Sequence, residues 1–114
     1  MPQKRQHPRF NLRLSAEIER EGRHVTAQTR NVSLAGANLV SVYPFREGET
    51  FQIGLFLVVD DVEDPTKPPL VCHARVQWIA ELDDGSHSAG VHFEDMTPEQ
   101  QSWLARFLKE VDRM

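Results

Sequence analysis

From Phe10 to Ile18 the chain alternates without a break. Phe10, Leu12, Leu14, Ala16 and Ile18 are apolar, and Asn11, Arg13, Ser15 and Glu17 lie between them. A period of two over nine residues puts every apolar side chain on one face of an extended strand, whereas a helix would scatter them around its circumference. The chain is therefore committed early to a half-buried sheet. Glu21-Gly22 supplies a turn, and Val25, Ala27 and Thr29 continue the alternation in a second strand, which makes a hairpin with the first.

Four further strands follow the same logic. A third runs over Ala37, Leu39 and Val40 to Val42, before Pro44 and Arg46-Glu47-Gly48 turn the chain. A fourth carries Phe51, Ile53, Leu55 and Leu57, with Phe56 and Val58 apolar on its other face. Residues 60–69, DDVEDPTKPP, read as a surface loop. Cys72, Ala74, Val76, Trp78 and Ala80 mark the inward face of a fifth strand, and Ala89, Val91 and Phe93 that of a sixth. Six short strands joined by tight turns suggest a small antiparallel barrel, because closure removes unpaired edges. The end of the chain changes period. Thr97 is an N-cap, Pro98 a first helical residue and Gln100 a capping-box partner. Trp103, Leu104, Phe107, Leu108 and Val111 then share one helical face. Burying Trp103, Leu104, Phe107 and Leu108 contributes roughly 6–12 kcal/mol, at about 1.5–3 each before entropy. Trp78 and Trp103 are both read as core residues.

At 114 residues the chain suits one domain with one core. No apolar run is long enough for a membrane span, and MPQKRQHPRF has no apolar stretch behind its charges to make it a secretory signal. Cys72 is the one cysteine and suits a reducing compartment. The expectation is a soluble cytoplasmic protein. A net charge of −4 argues against binding a nucleic-acid polymer over a broad basic face. The charges are uneven, however. Lys4, Arg5, Arg9 and Arg13 stand in the first 16 residues without one acid, while residues 60–64 hold four acids. That end fits either a small anionic ligand or a solvated basic tail.

Two short stretches carry chemistry. In KRQHPR, residues 4–9, Pro8 forbids an ordinary helix and biases His7 to extended geometry, so Arg5 and Arg9 are presented from a bent segment. A guanidinium fork binds phosphate or the O6/N7 edge of guanine with two bonds and stacks on a purine. In NVSLAG, residues 31–36, Asn31 and Ser33 share a parity and offer a carboxamide and a hydroxyl to one side if the segment stays extended. Gly36 permits a positive φ or a close approach of ligand to backbone. Each stretch alone also fits a plain structural turn.

In this order, leading into six strands, Arg5-Gln6-His7-Pro8-Arg9 and Asn31-Val32-Ser33-Leu34-Ala35-Gly36 resemble the R-x-x-x-R and [D/N]-x-S-x-x-G motifs of the PilZ domain, a bacterial receptor module for cyclic di-GMP. Ala89-Gly90-Val91-His92-Phe93 before a short helix resembles the family's ending. The resemblance implies a mainly-β fold: a basic arm over residues 1–9, a six-stranded antiparallel barrel over 10–96 and a C-terminal helix over 97–114. It implies cyclic di-GMP on the barrel's outer face, gripped by Arg5 and Arg9 as the arm folds over it and shaped by Asn31, Ser33 and Gly36. Lys4 is a third cation beside the ligand, and His7 either touches it or is solvated. Asn31, where the motif also allows Asp, has one acceptor oxygen where a carboxylate has two.

The expected function is a cyclic di-GMP receptor that orders its arm and signals to a separate effector protein, as a monomer or weak dimer. The outputs the resemblance suggests are motility or biofilm regulation. The alternative is a PilZ-like interaction module that does not use nucleotide. A single-stranded nucleic-acid binder needs exposed aromatics on a basic strand face, and the strand aromatics here sit in apolar registers. No nucleophile–base pair suggests an enzyme, no cofactor is implied, and His73, His87 and His92 lack metal-ligand spacing.

Overall fold

The alternating segments form strands that close on themselves. The computed structural model describes residues 8–57 and 68–112. The order along the chain is β1 (Ser15–Arg20), β2 (Arg23–Val32), β3 (Gly36–Ser41), β4 (Thr50–Leu55), β5 (Leu70–Glu81), β6 (His87–Glu94) and α1 (Pro98–Asp112). Around the barrel the order is β1-β2-β3-β6-β5-β4, and β4 pairs back onto β1, every neighbour antiparallel. Lys4, Arg5, His7 and the acidic run 60–64 lie outside the described residues.

Glu21 and Gly22 both have positive φ, 49° and 78°, the pair that a tight two-residue hairpin needs to match strand twist. Inside the barrel, small Ala16, Ala37, Ala74 and Ala89 alternate with large Ile18, Leu39, Ile53 and Val91, all buried, the mix of sizes that suits a narrow interior. Phe45 plugs one end, tilted against Phe51 at 6.2 Å between ring centroids. The Arg20 guanidinium lies over the Phe45 ring and bonds the Pro44 carbonyl at 2.8 Å and Glu49 at 3.0 Å.

Helix α1 covers the other end with Leu104, Phe107 and Leu108, while Trp103 and Val111 pack at the margin. Its capping box forms as expected. Gln100 N–H donates to Thr97 Oγ1 and Thr97 N–H donates to Gln100 Oε1, each at 3.1 Å. The Gln100 amide also donates to the Val71 carbonyl, tying the helix start to β5.

The first strand is shorter than its alternation suggests. Phe10 and Val32 exchange backbone hydrogen bonds as an isolated bridge, and regular pairing begins only at Ser15. Between them the Thr29 side chain stands in for the rest of the ladder, beside one backbone bond from Thr29 N–H to the Leu14 carbonyl at 2.9 Å. Its hydroxyl accepts from Leu14 N–H at 2.8 Å and donates to the Leu12 carbonyl. The alternation survives because the segment still lies along β2 with Leu14 turned inward.

Two bulges also break the expected parity. On β2, Thr29 pairs with Leu39 and Asn31 with Asn38, so Arg30 is an extra residue. On β5, Val76 pairs with Val91 and Trp78 with Gly90, so Gln77 is extra. Each insertion exchanges the two faces of the strand beyond it. Val32 therefore points inward and Asn31 outward, and Trp78, expected in the core, stands 40% exposed on the outside.

Thr29 is 1% exposed, so Thr29→Val strands a buried N–H and a carbonyl. It is expected to lower unfolding free energy by about 1–3 kcal/mol, read as a lower urea midpoint at unchanged m-value.

Candidate functional site

The turn between β2 and β3 is built by its own polar side chain. Ser33, 6% exposed, accepts at Oγ from Ala35 N–H at 3.1 Å and Gly36 N–H at 3.2 Å. Its hydroxyl reaches the Gly36 carbonyl only at 3.4 Å, and Ser33 N–H donates to that same carbonyl at 2.8 Å. The turn is fastened to β6 by a bond from Phe93 N–H to the Ala35 carbonyl, 2.8 Å. Gly36 does not take a positive φ. Glycine is required there because a Cβ would strike the Val91 carbonyl oxygen of β6. The glycine lets two strands approach, which is a different use from either expected in the sequence.

Outside the barrel, the bulges bring polar and aromatic groups into line. Asn31 pairs with Asn38, Asn38 with Gly90, and Gly90 with Trp78. These four residues form one cross-strand row over β2, β3, β6 and β5. Ser88 Oγ donates to Asn38 Oδ1 at 2.7 Å and orients that carboxamide. The Asn31 side chain bonds no other described residue. Gly90 is buried beneath the indole of Trp78, and a Cβ at Gly90 would occupy the space of the ring's Nε1. The neighbouring row runs Gly36–His92–Arg75. Arg75 donates from Nε to Glu94 at 3.3 Å, both side chains partly exposed.

A cleft of about 190 Å³ opens between these rows. It is lined by Arg9, Ser33, Gly36, Trp78, Gly90 and His92, with the backbone of Ala35, Ala37 and Val91 and the bulged Gln77 beside them. Arg9 is exposed at its mouth and makes no ion pair among the described residues. The structure thus brings Arg9, Ser33 and Gly36 together, sets Asn31 outward on the adjoining row, and leaves Lys4, Arg5 and His7 outside the described residues. Small-molecule sites commonly measure about 300–1,000 Å³, so this cleft holds one base or one phosphate rather than a whole dinucleotide. Chemically it offers a guanidinium fork and an aromatic face beside the Ser33 turn.

Sequence reasoning missed Trp78, Asn38 and His92. Period two assigned Trp78 to the core, and nothing in composition reveals a bulge. Gly90 was the available signal, since an isolated glycine inside a strand marks a close approach from outside. Ionisable groups elsewhere add no second centre. Burial, and then the charge of Asp95, push the Cys72 thiol up to about 12. The Asp95 carboxyl is held below its usual range chiefly by the hydrogen bond from the His73 ring, 2.7 Å. Among the described residues no three His, Cys, Asp or Glu groups could hold a metal ion, and no helix is long and apolar enough to cross a membrane.

Comparison with known proteins places the family and the fold. The family model for the PilZ domain matches residues 3–110. Among solved structures, the Bacillus subtilis inhibitor of motility MotI (DgrA) superposes with a TM-score of 0.78 at 17% identity, over 99% of this chain and 54% of that one. The PilZ domain of YcgR from Escherichia coli with c-di-GMP gives 0.77 at 15% identity, over 97% of this chain and 93% of that one. The MrkH–c-di-GMP complex of K. pneumonia gives 0.71 at 15%, over 96% and 52%. This chain therefore spans about half the length of MotI and MrkH. At these identities the likeness shows a shared fold. No curated protein matches the chain.

With its thiol raised to about 12 and 5% exposed, Cys72 is expected to resist Ellman's reagent at pH 8 and to react fully only in denaturant. Fast labelling of the native chain contradicts the described core.

Proposed function

The chain belongs to the PilZ domain family, and from that premise we propose that it is a receptor for cyclic di-GMP that signals to a partner protein in trans. The observation that carries the proposal is the shared cleft, where Arg9 of one motif meets Ser33 and Gly36 of the other beside an exposed indole. A guanine ring has the flat face that Trp78 stacks against and the O6/N7 edge that an arginine fork bonds with two hydrogen bonds. The linking phosphates carry the charge that Arg5 and Arg9 neutralise. Because the whole protein is net negative, attraction is local to these arginines rather than spread over a face.

The division of labour follows from the bonds already made. Ser33 uses both acceptor sites of its hydroxyl within the turn, and its weakest contact is the 3.4 Å donation to Gly36. That hydrogen is free to swing to an anionic oxygen at little cost. Asn31, whose carboxamide bonds no other residue among those described, presents it to the edge of a second base or to the sugar. Gly36 lets β3 approach β6 and Gly90 seats the Trp78 indole, which together fix the cleft's floor. Closure of the Arg5–Arg9 segment over the ligand then alters the surface beside Pro8, and a partner reads that change. Lys4 and His7 sit on the same segment and assist in the grip.

Calorimetry with cyclic di-GMP tests the reading. Wild type is expected to bind, and Arg5→Ala and Arg9→Ala each to weaken binding by about tenfold or more, since a charge-assisted fork contributes about 1.5–3 kcal/mol. Arg9→Lys keeps the charge but loses the fork and falls between. Equal binding by wild type and the double alanine variant rejects the assigned site. Trp78→Ala is expected to weaken binding by about 1–3 kcal/mol without unfolding the barrel, because stacking on an exposed ring is what it removes. Unchanged affinity in that variant removes Trp78 from the site.

A further inference from the structure

A second depression lies on the far side of the same turn. It encloses about 490 Å³ between the root of the arm and α1, with Pro8, Phe10 and Leu34 on one wall and Ala105 and Leu108 on the other. Its lining is largely apolar, and Phe10, Leu34 and Ala105 are only half-buried. Arg106 and Lys109, one helical turn apart on α1, stand exposed along its rim. Neither makes an ion pair among the described residues, and the one acid at the groove is Asp112 at its end.

We propose that this groove is the output face of the protein, a docking site for an apolar segment of a partner protein that carries acidic residues. Two observations select that occupant. The first is charge. A pair of exposed cations above an apolar trough complements Leu-, Ile- or Phe-type anchors flanked by Asp or Glu, with the charges setting orientation and encounter rate. The second is continuity with the cleft. Leu34 sits between Ser33 and Ala35, and Pro8 directly precedes Arg9, so the backbone that lines the cleft also lines the groove. A nucleotide that engages Arg9 repositions Pro8 against the fixed Leu34 of the Ser33 turn, and so changes the groove's shape. This gating rests on the nucleotide reading above; the docking face itself does not.

The test is to pan a random peptide library displayed on phage against the intact chain, with and without cyclic di-GMP. Enriched peptides are expected to combine large apolar residues with Asp or Glu. A fluorescent copy of the dominant peptide should bind Arg106→Glu/Lys109→Glu about tenfold or more weakly by anisotropy. It should perturb the amide signals of Leu34, Ala105 and Leu108, and cyclic di-GMP should change its affinity by about fivefold or more. Both substitutions are at exposed helix positions; if the double variant loses its fold, Lys109→Glu alone carries the comparison. The docking proposal is overturned by no enrichment, by enriched peptides lacking acids, by unchanged affinity in the variant, or by self-association of the chain through this face. Calorimetry on the same proteins separates the two readings. Nucleotide binding that is equal in wild type and variant, with peptide binding lost, supports the groove. Peptide binding indifferent to bound nucleotide overturns the gating, and a wild type that binds peptide but no nucleotide overturns the receptor reading and the gating together.

Discussion

Closing six antiparallel strands into a barrel fixes which side of every residue sees water, and the candidate site depends on that alternation being broken twice. Arg30 and Gln77 are each inserted opposite a continuous partner strand. Without the first, Asn31 would share the inward face of Ala27 and Thr29. Without the second, Trp78 would follow Cys72, Ala74 and Val76 into a core that has no room for an indole. Both insertions are absorbed because a closed sheet has neighbours on each side to hold the displaced strand. The result is a polar carboxamide row ending in an aromatic ring, on a face where regular pairing would have left a different set.

The glycines and the serine of the second motif look different in this light. Gly36 accommodates the Val91 carbonyl and Gly90 accommodates the Trp78 ring, so each has a packing reason before any ligand is considered. Ser33 holds its own turn with two accepted hydrogen bonds. A turn that is already rigid costs little to present to a ligand, and preorganisation of this kind raises affinity by reducing the entropy lost on binding. The motif residues Ser33 and Gly36 thus have a structural role in shaping the turn, whatever binds beside it.

Much of the architecture was legible in the chain. Alternation located all six strands, because each turns apolar residues into the barrel, and Thr97-Pro98-x-Gln100 marked the helix start through a capping box that forms in detail. Phe10 to Leu14 misled at their boundary, since Thr29 substitutes a side chain for the ladder while leaving the pattern of burial intact. Trp78 misled more seriously. A bulge changes parity without leaving any compositional trace, so periodicity alone extends the core to Trp78 and Ala80, both of which are exposed. Arg9, Ser33 and Gly36 were found by motif spacing. Asn38 and His92 were not, as their role depends on cross-strand register that only the closed sheet defines.

The central claim is that the two bulges assemble a nucleotide-binding face from Asn31, Asn38, Gly90 and Trp78 beside Arg9. It is tested most directly by titrating isotopically labelled protein with cyclic di-GMP and following the Trp78 indole N–H, the Gly90 amide and the side-chain amides of Asn31 and Asn38. Saturable shifts at those four positions, with the Leu39 and Ile53 methyls in the interior unmoved, are the predicted result. Shifts confined to the Phe45 end of the barrel, or none at all, would contradict the account.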